Sequence, residues 1–199
     1  CFSLTAAIAE TSISPHDPDG AVRKINDRIE KDRSNAELYL QRGSLLLRGG
    51  RARLALSDFD LCLALQSRWT TAHLGRALAL LALHRHDPAL EAAKRFVALR
   101  PDHVDGMRTL ARALSATGDA EASARRYEQV LDLPTARPTA ADFRAAAEAW
   151  ARVGKKGKRH AQSIMARAAS TIATTPDSGP RSSPTKAPAA VLSVLAMPP

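Results

Sequence analysis

The sequence predicts an all-α chain, a right-handed α-solenoid of stacked antiparallel helix pairs. Three observations predict it. Residues 36–69 and 70–103 are adjoining copies of one 34-residue pattern, in which Tyr39 falls on His73, Gly43 on Ala77, Leu46 on Leu80, Ala55 on Ala89, Leu63 on Val97 and Leu65 on Leu99. Each copy carries a helical apolar stripe, a break rich in Gly or His, and a second stripe, and a fixed period of this size marks a stacked helical repeat. Aromatics are only 4% of the chain while Ala and Leu dominate, which suits helices that pack through small residues.

The pattern resembles the tetratricopeptide repeat (TPR). Tyr39, Gly43, Leu46, Ala55, Phe59 and Cys62 follow that family's order of large and small residues in the first copy, and Ala77, Leu80, Ala89 and Pro101 follow it in the second. The two helices of a unit, A and B, would cross where Gly43 and Ala55 sit, because a bulky side chain there would hold them apart. Repeats of this kind are binding surfaces with interchangeable clients, so the pattern speaks for the fold and not for a partner.

The elements follow in order. Cys1–Ala9 reads either as the end of a signal peptide with Ala7-Ile8-Ala9 as its small-residue cleavage site, or as a lipoprotein start with Cys1 carrying a lipid anchor. Either reading places the domain in the periplasm or outside the cell. A boundary inside an ordinary helix would leave it cytoplasmic. After a polar lead through residue 18, Asp19-Gly20 opens a helix over residues 21–31, and Ala21, Ile25 and Ile29 match Ala55, Phe59 and Leu63 at a separation of 34. Residues 19–35 are therefore a half-repeat, a B helix with a charged outer face that caps the stack. Asn35 is placed to cap the next helix.

Gly49-Gly50 ends helix A of the first repeat and permits its turn. In the second repeat the turn is residues 84–88, with Asp87 as N-cap and Pro88 as the first helical residue. His84 and His86 have no third ligand nearby in sequence, so no metal is expected. Residues 104–137 form the third repeat, with Met107, Ala111, Leu114, Gly118, Tyr127, Val130 and Leu131 in register, Ser123 in a small-residue place, and Pro134 and Pro138 bracketing a lengthened connector. Residues 140–173 form a weaker fourth repeat. Its helix A spans about residues 140–153 with Phe143, Ala147 and Trp150 in register, a basic loop covers residues 154–160, and its helix B carries Ala161, Met165, Ala168 and Ile172 on one face. Residues 174–199 hold six of the twelve prolines and read as a disordered tail, with a short apolar patch at residues 189–197.

No phosphate-cradling Gly loop, H-E-x-x-H, C-x-x-C or Gly-framed nucleophilic Ser is present. Asp58 and Asp60 flank Phe59 and read as solvated surface. Neither an enzymatic activity nor a cofactor is expected. Cys62 reads as a free core thiol. No run approaches the ~20 apolar residues of a membrane-spanning helix.

The resemblance implies that helices A line a concave groove that takes a protein or peptide. Its places here are Glu37, Leu40, Ser44, Leu47 and Arg48, then Thr71, Leu74, Leu78 and Leu81, then Asp105, Arg108, Arg112 and Ser115, then Arg144, Glu148, Ala151 and Arg152. The first half is apolar and the second cationic, so a peptide with apolar residues at one end and carboxylates at the other fits. Leu40 and Ser44 stand where some relatives carry the Lys and Asn of a carboxylate clamp, so the clamp is not implied. The alternative is an anion-binding module: with a net charge of +9, Lys155, Lys156, Lys158 and Arg159 would meet nucleic acid or anionic lipid, although the chain has no nucleic-acid motif and no aromatic stacking surface. Leucine-rich groove faces also allow packing on a second copy.

Overall fold

The computed structural model describes residues 18–133 and 136–174. The expectations for Cys1, for Ala7-Ile8-Ala9, for Pro134 and for the tail beyond residue 174 lie outside the described residues, as does the side chain of Ile172. The described residues form nine helices and no strand: α1 (Pro18–Lys31), α2 (Ala36–Arg48), α3 (Ala52–Leu65), α4 (Thr70–Ala82), α5 (His86–Leu99), α6 (Val104–Ala116), α7 (Ala120–Asp132), α8 (Ala140–Ala151) and α9 (Lys155–Thr174). None is long and apolar enough to cross a membrane. They fall into two compact units, one ending at Arg100 and the other beginning at Pro101. In the first, α1 packs on α2, α2 on α3, α3 on α4 and α4 on α5. In the second, α6 packs on α7, α7 on α8 and α8 on α9.

The turn chemistry explains the helix starts. Asn35 Oδ1 accepts from Glu37 N–H at 3.2 Å, the cap that its amide was expected to make. Helix α1 begins at Pro18, three residues ahead of Ala21, because proline's fixed φ suits a first turn. Helix α5 begins at His86, with Arg85 in the N-cap place; Asp87 and Pro88 lie inside its first turn, where a carboxylate meets the positive helix end and a missing N–H costs nothing. Helix α9 begins at Lys155, so the expected basic loop is helical.

The A-to-B turns share one device. Arg51, Arg85 and Asp119 donate backbone N–H bonds of 2.8, 2.9 and 2.9 Å to Leu46, Leu80 and Leu114, five residues back, closing each A helix over a left-handed residue. That residue is Gly50 (φ 74) or Gly118 (φ 93) in two repeats, but His84 (φ 56) in the second. The L side chain is strained there by about 1 kcal/mol. Replacing the exposed imidazole gives up an edge contact with the half-buried His86 ring, 6.0 Å between ring centres, and, among the described residues, no other ring contact or hydrogen bond of that side chain. His84→Gly is therefore expected to stabilise the first unit by about 1 kcal/mol, read as a raised urea midpoint. An unchanged or lowered midpoint would contradict that strain.

In the first unit the core centres on Phe59, 1% exposed, with Leu46, Ala55 and Ala79 around it. Its ring fills the space of two glycines. A Cβ at Gly43 would come within 3.0 Å of the ring, and one at Gly75, on the next A helix, within 2.5 Å. The crossing expected at Gly43 is present, and Gly75 extends it to the following repeat. A second cluster joins Ile25 and Ile29 of α1 to Tyr39, Cys62 and Ala72. Cys62 is fully buried and free, and burial pushes its thiol pKa up. Two aligned polar tips tie the stack: Tyr39 Oη donates to the Arg33 carbonyl at 3.0 Å, and His73 Nε2 to the Ser67 carbonyl at 3.0 Å. In the second unit Tyr127, Leu131, Phe143, Ala147, Ala161, Ile164 and Ala168 form the main core. Ser123 takes its small-residue place and satisfies its hydroxyl on the Ala111 carbonyl at 2.8 Å.

Candidate partner-binding faces

The expected groove residues were placed by register on the A helices α2, α4, α6 and α8. Leu40, Leu47, Leu74, Leu78 and Leu81 are all half-buried on α2 and α4, beside core leucines Leu46 and Leu80 that are 5% and 2% exposed. Leu40 and Leu47 pack against the Phe59 cluster with part of their surface and leave the rest open. Arg48, at the end of α2, is exposed.

On α6 and α8 the arginines divide. Arg108 is held inside the unit: its Nε and one terminal nitrogen donate to both oxygens of Asp142 at 2.8 and 2.7 Å, and its other terminal nitrogen donates to Asp105 at 3.1 Å. Asp142 is 5% exposed and also accepts from Thr139 N–H and Oγ1 at 2.8 and 2.9 Å. Burial alone would raise the Asp142 pKa, but the Arg108 and Thr139 donors outweigh it and hold the carboxyl below its ordinary value. Arg152 donates to Ser115 Oγ at 2.9 Å. Arg112 and Arg144 are exposed and make no hydrogen bond or ion pair among the described residues. Of these four arginines, Arg112 and Arg144 are open to a partner.

A further pairing lay outside the sequence reading. Asp58 is not solvated but 3% exposed, and Arg42 grips it with two bonds of 2.8 and 2.6 Å while donating to Asn26 of α1 at 2.8 Å. Asp60 is exposed, as expected, and is paired with Arg76 at 2.6 Å. Arg42 and Arg76 are 34 residues apart, so the repeat itself carried the signal. Among the described residues no group of three or more His, Cys, Asp or Glu side chains could hold a metal.

No family model matches the chain. It is 26% identical over 130 residues, 64% of its length, to tetratricopeptide repeat protein 33 of Xenopus laevis, and it spans half the length of that relative. Among solved structures, MamA from Desulfovibrio magneticus RS-1 superposes with a TM-score of 0.75 at 17% identity, covering 81% of this chain and 89% of that one. The protein YrrB, described as a TPR protein with an unusual peptide-binding site, superposes at 0.66 with 18% identity, covering 81% of this chain and 79% of that one. The chain has the tetratricopeptide-repeat fold.

The fourth repeat of this fold departs most from the others. Its turn places the left-handed glycine, Gly154 (φ 101), last of the three turn residues, and α9 runs for 20 residues where the earlier B helices have 13 or 14. The buried side of α9 is Gly157, Ala161, Ile164 and Ala168, with Met165 half-buried at its edge. Lys155, Lys156, Lys158 and Arg159 are exposed in its first turns. The imidazole of His160 stacks edge-on against Trp150, 4.7 Å between ring centres, and bonds Glu128 of α7.

Proposed function

We propose that this chain is a non-catalytic TPR scaffold that holds a protein or peptide segment against the outward faces of its A helices. The observation that carries the reading is the run of half-buried leucines on α2 and α4. Leu40, Leu47, Leu74, Leu78 and Leu81 leave apolar surface in water where a solvated face would carry polar residues. In the second unit Arg112 and Arg144 offer unpaired guanidinium forks, which suit carboxylates. The leucines of the first unit suit an apolar stretch of a partner, and the arginines of the second suit an acidic one. The peptide-binding site attributed to YrrB, a chain of the same fold, supports the choice of a peptide. Export, read from residues 1–9, belongs to the same proposal and would place the scaffold in a periplasmic or secreted assembly.

The test is a peptide-display selection on the full chain, with the winning peptides measured against Leu74→Ser/Leu78→Ser and Arg112→Glu/Arg144→Glu variants of confirmed helicity. Enriched peptides should combine apolar and acidic residues. The leucine variant should weaken them at least about tenfold, a loss of about 1.4 kcal/mol, at both low and high salt. Peptides that bind both variants as well as they bind wild type would overturn the reading.

A further inference from the structure

We propose that the flank of α9 beside Trp150 is a second docking site, for an acidic polypeptide segment, with a carboxylate seated among Lys156, Arg159 and Ser163. This site lies mainly on a B helix, with Trp150 of α8 as its one A-helix residue, and it uses none of the leucines or arginines proposed above.

The charge argument comes first. Residues 149–174 contain Arg152, Lys155, Lys156, Lys158, Arg159 and Arg167, and no Asp or Glu. Acids on neighbouring α7 reach only part of this charge: Asp132 pairs with Arg167 at 3.0 Å, and Glu128 with His160. Lys155, Lys156, Lys158 and Arg159 have no ion pair among the described residues. They also repel one another. Lys155–Lys158, Lys155–Arg159 and Lys156–Arg159 are like-charge neighbours three or four apart, each unfavourable by about 0.2–0.5 kcal/mol. An acidic partner turns that repulsion into attraction.

Shape comes second. At about 100° per residue, Lys155, Lys156, Arg159, His160 and Ser163 share an arc of about 140°, while Lys158 falls on the other side of the buried face. The first arc borders a pocket lined by Trp150, Lys156, Arg159, His160 and Ser163. The indole and imidazole rings give it an apolar wall, beside which an ion pair is stronger than in open water. Lysine, arginine and a hydroxyl around one recess are donors for an oxyanion.

The same features select the partner's class. A membrane surface calls for large apolar side chains that insert beside the cations. The exposed large hydrophobics of the described side chains are Leu54, Leu61, Leu65 and Leu99, all in the first unit, with none on α9 through Ser170. Nucleic acid calls for successive aromatic platforms, and here one half-buried Trp150 is already faced by His160. An extended acidic strand places alternate carboxylates about 7 Å apart, close to the spacing of Lys156, Arg159 and Lys155 along the helix side.

The experiment measures binding of a fluorescein-labelled Glu-Ser repeat peptide to the full chain, with a Gln-Ser peptide as control. Lys156→Ala/Arg159→Ala is compared with Lys158→Ala on the opposite side. The Glu-Ser peptide alone should bind, the double variant should weaken it at least about tenfold, and Lys158→Ala should weaken it less than about twofold. Thermal melts check that each variant is folded, and removing like charges should leave Tm unchanged or higher. Equal binding of the two peptides, or equal loss in Lys158→Ala, would overturn the site. Displacement of the peptide by a single-stranded oligonucleotide or by anionic phospholipid vesicles at lower charge concentration would overturn the choice of a polypeptide.

Discussion

Gly157→Ala is expected to destabilise the second unit by about 3 kcal/mol or more, far above the ordinary cost of such a change. Gly157 is buried in the first turn of α9, where the helix crosses the end of α8. A Cβ there would overlap the carbonyl oxygen of Trp150 and lie 3.0 Å from both its carbonyl carbon and the Cβ of Val153. A side chain could rotate away, but a backbone carbonyl inside a helix cannot. Helix α9 would have to move outward, lifting Ala161, Ile164 and Ala168 off Phe143 and Tyr127. Gly118→Ala is the control. Gly118, unlike Gly157, lies at positive φ, and it has open space around its missing Cβ, so the cost there is the left-handed strain of about 1 kcal/mol. Urea unfolding followed by Trp150 fluorescence in a Trp69→Phe background reads the second unit by itself. Equal midpoints for the two variants would refute the close approach.

That glycine also shows where sequence stopped being legible. Gly154, Lys155, Lys156 and Gly157 read as a basic loop because two glycines in four residues break a helical pattern. Only the first is a turn residue. The second is small because a backbone passes over it, and nothing local distinguishes the two cases. Gly75 was missed for the same reason. It lies outside the repeat's small-residue places, yet glycine in mid-helix is unfavourable by about 1 kcal/mol against alanine and so signals a close neighbour. That neighbour is Phe59, which belongs to the preceding repeat. The period, by contrast, was fully legible: A helices begin at Ala36, Thr70 and Val104, 34 residues apart, because each repeat buries the same positions. Long-range pairing was less so. A lone aspartate such as Asp58 looks solvated until an arginine 16 residues away is known to reach it.

Arg108→Glu should cost the second unit about 3 kcal/mol or more, whereas Arg112→Glu and Arg144→Glu should each stay within about 0.5 kcal/mol of wild type. The reversal removes the two-toothed grip on buried Asp142 and sets a third carboxylate beside Asp142 and Asp105. The pH dependence gives the mechanism away. Asp142 has a lowered pKa in the folded chain, so its contribution is complete above the ordinary carboxylate value of 3.8 and is lost as pH falls through the lowered one. Wild type should weaken over that acid limb, and Asp142→Asn should flatten it. Arg108→Glu should behave in the opposite sense, its deficit shrinking from about pH 7 to about pH 4 as the crowded carboxylates take up protons. Urea midpoints across that range decide the matter, and a pH-independent deficit would rule out the carboxylate cluster. The consequence reaches function. A partner lost on Arg108→Glu would report a damaged repeat and not a missing ligand contact. A partner lost on Arg112→Glu/Arg144→Glu, with the urea midpoint held, would report binding by the two guanidinium groups that the fold leaves open.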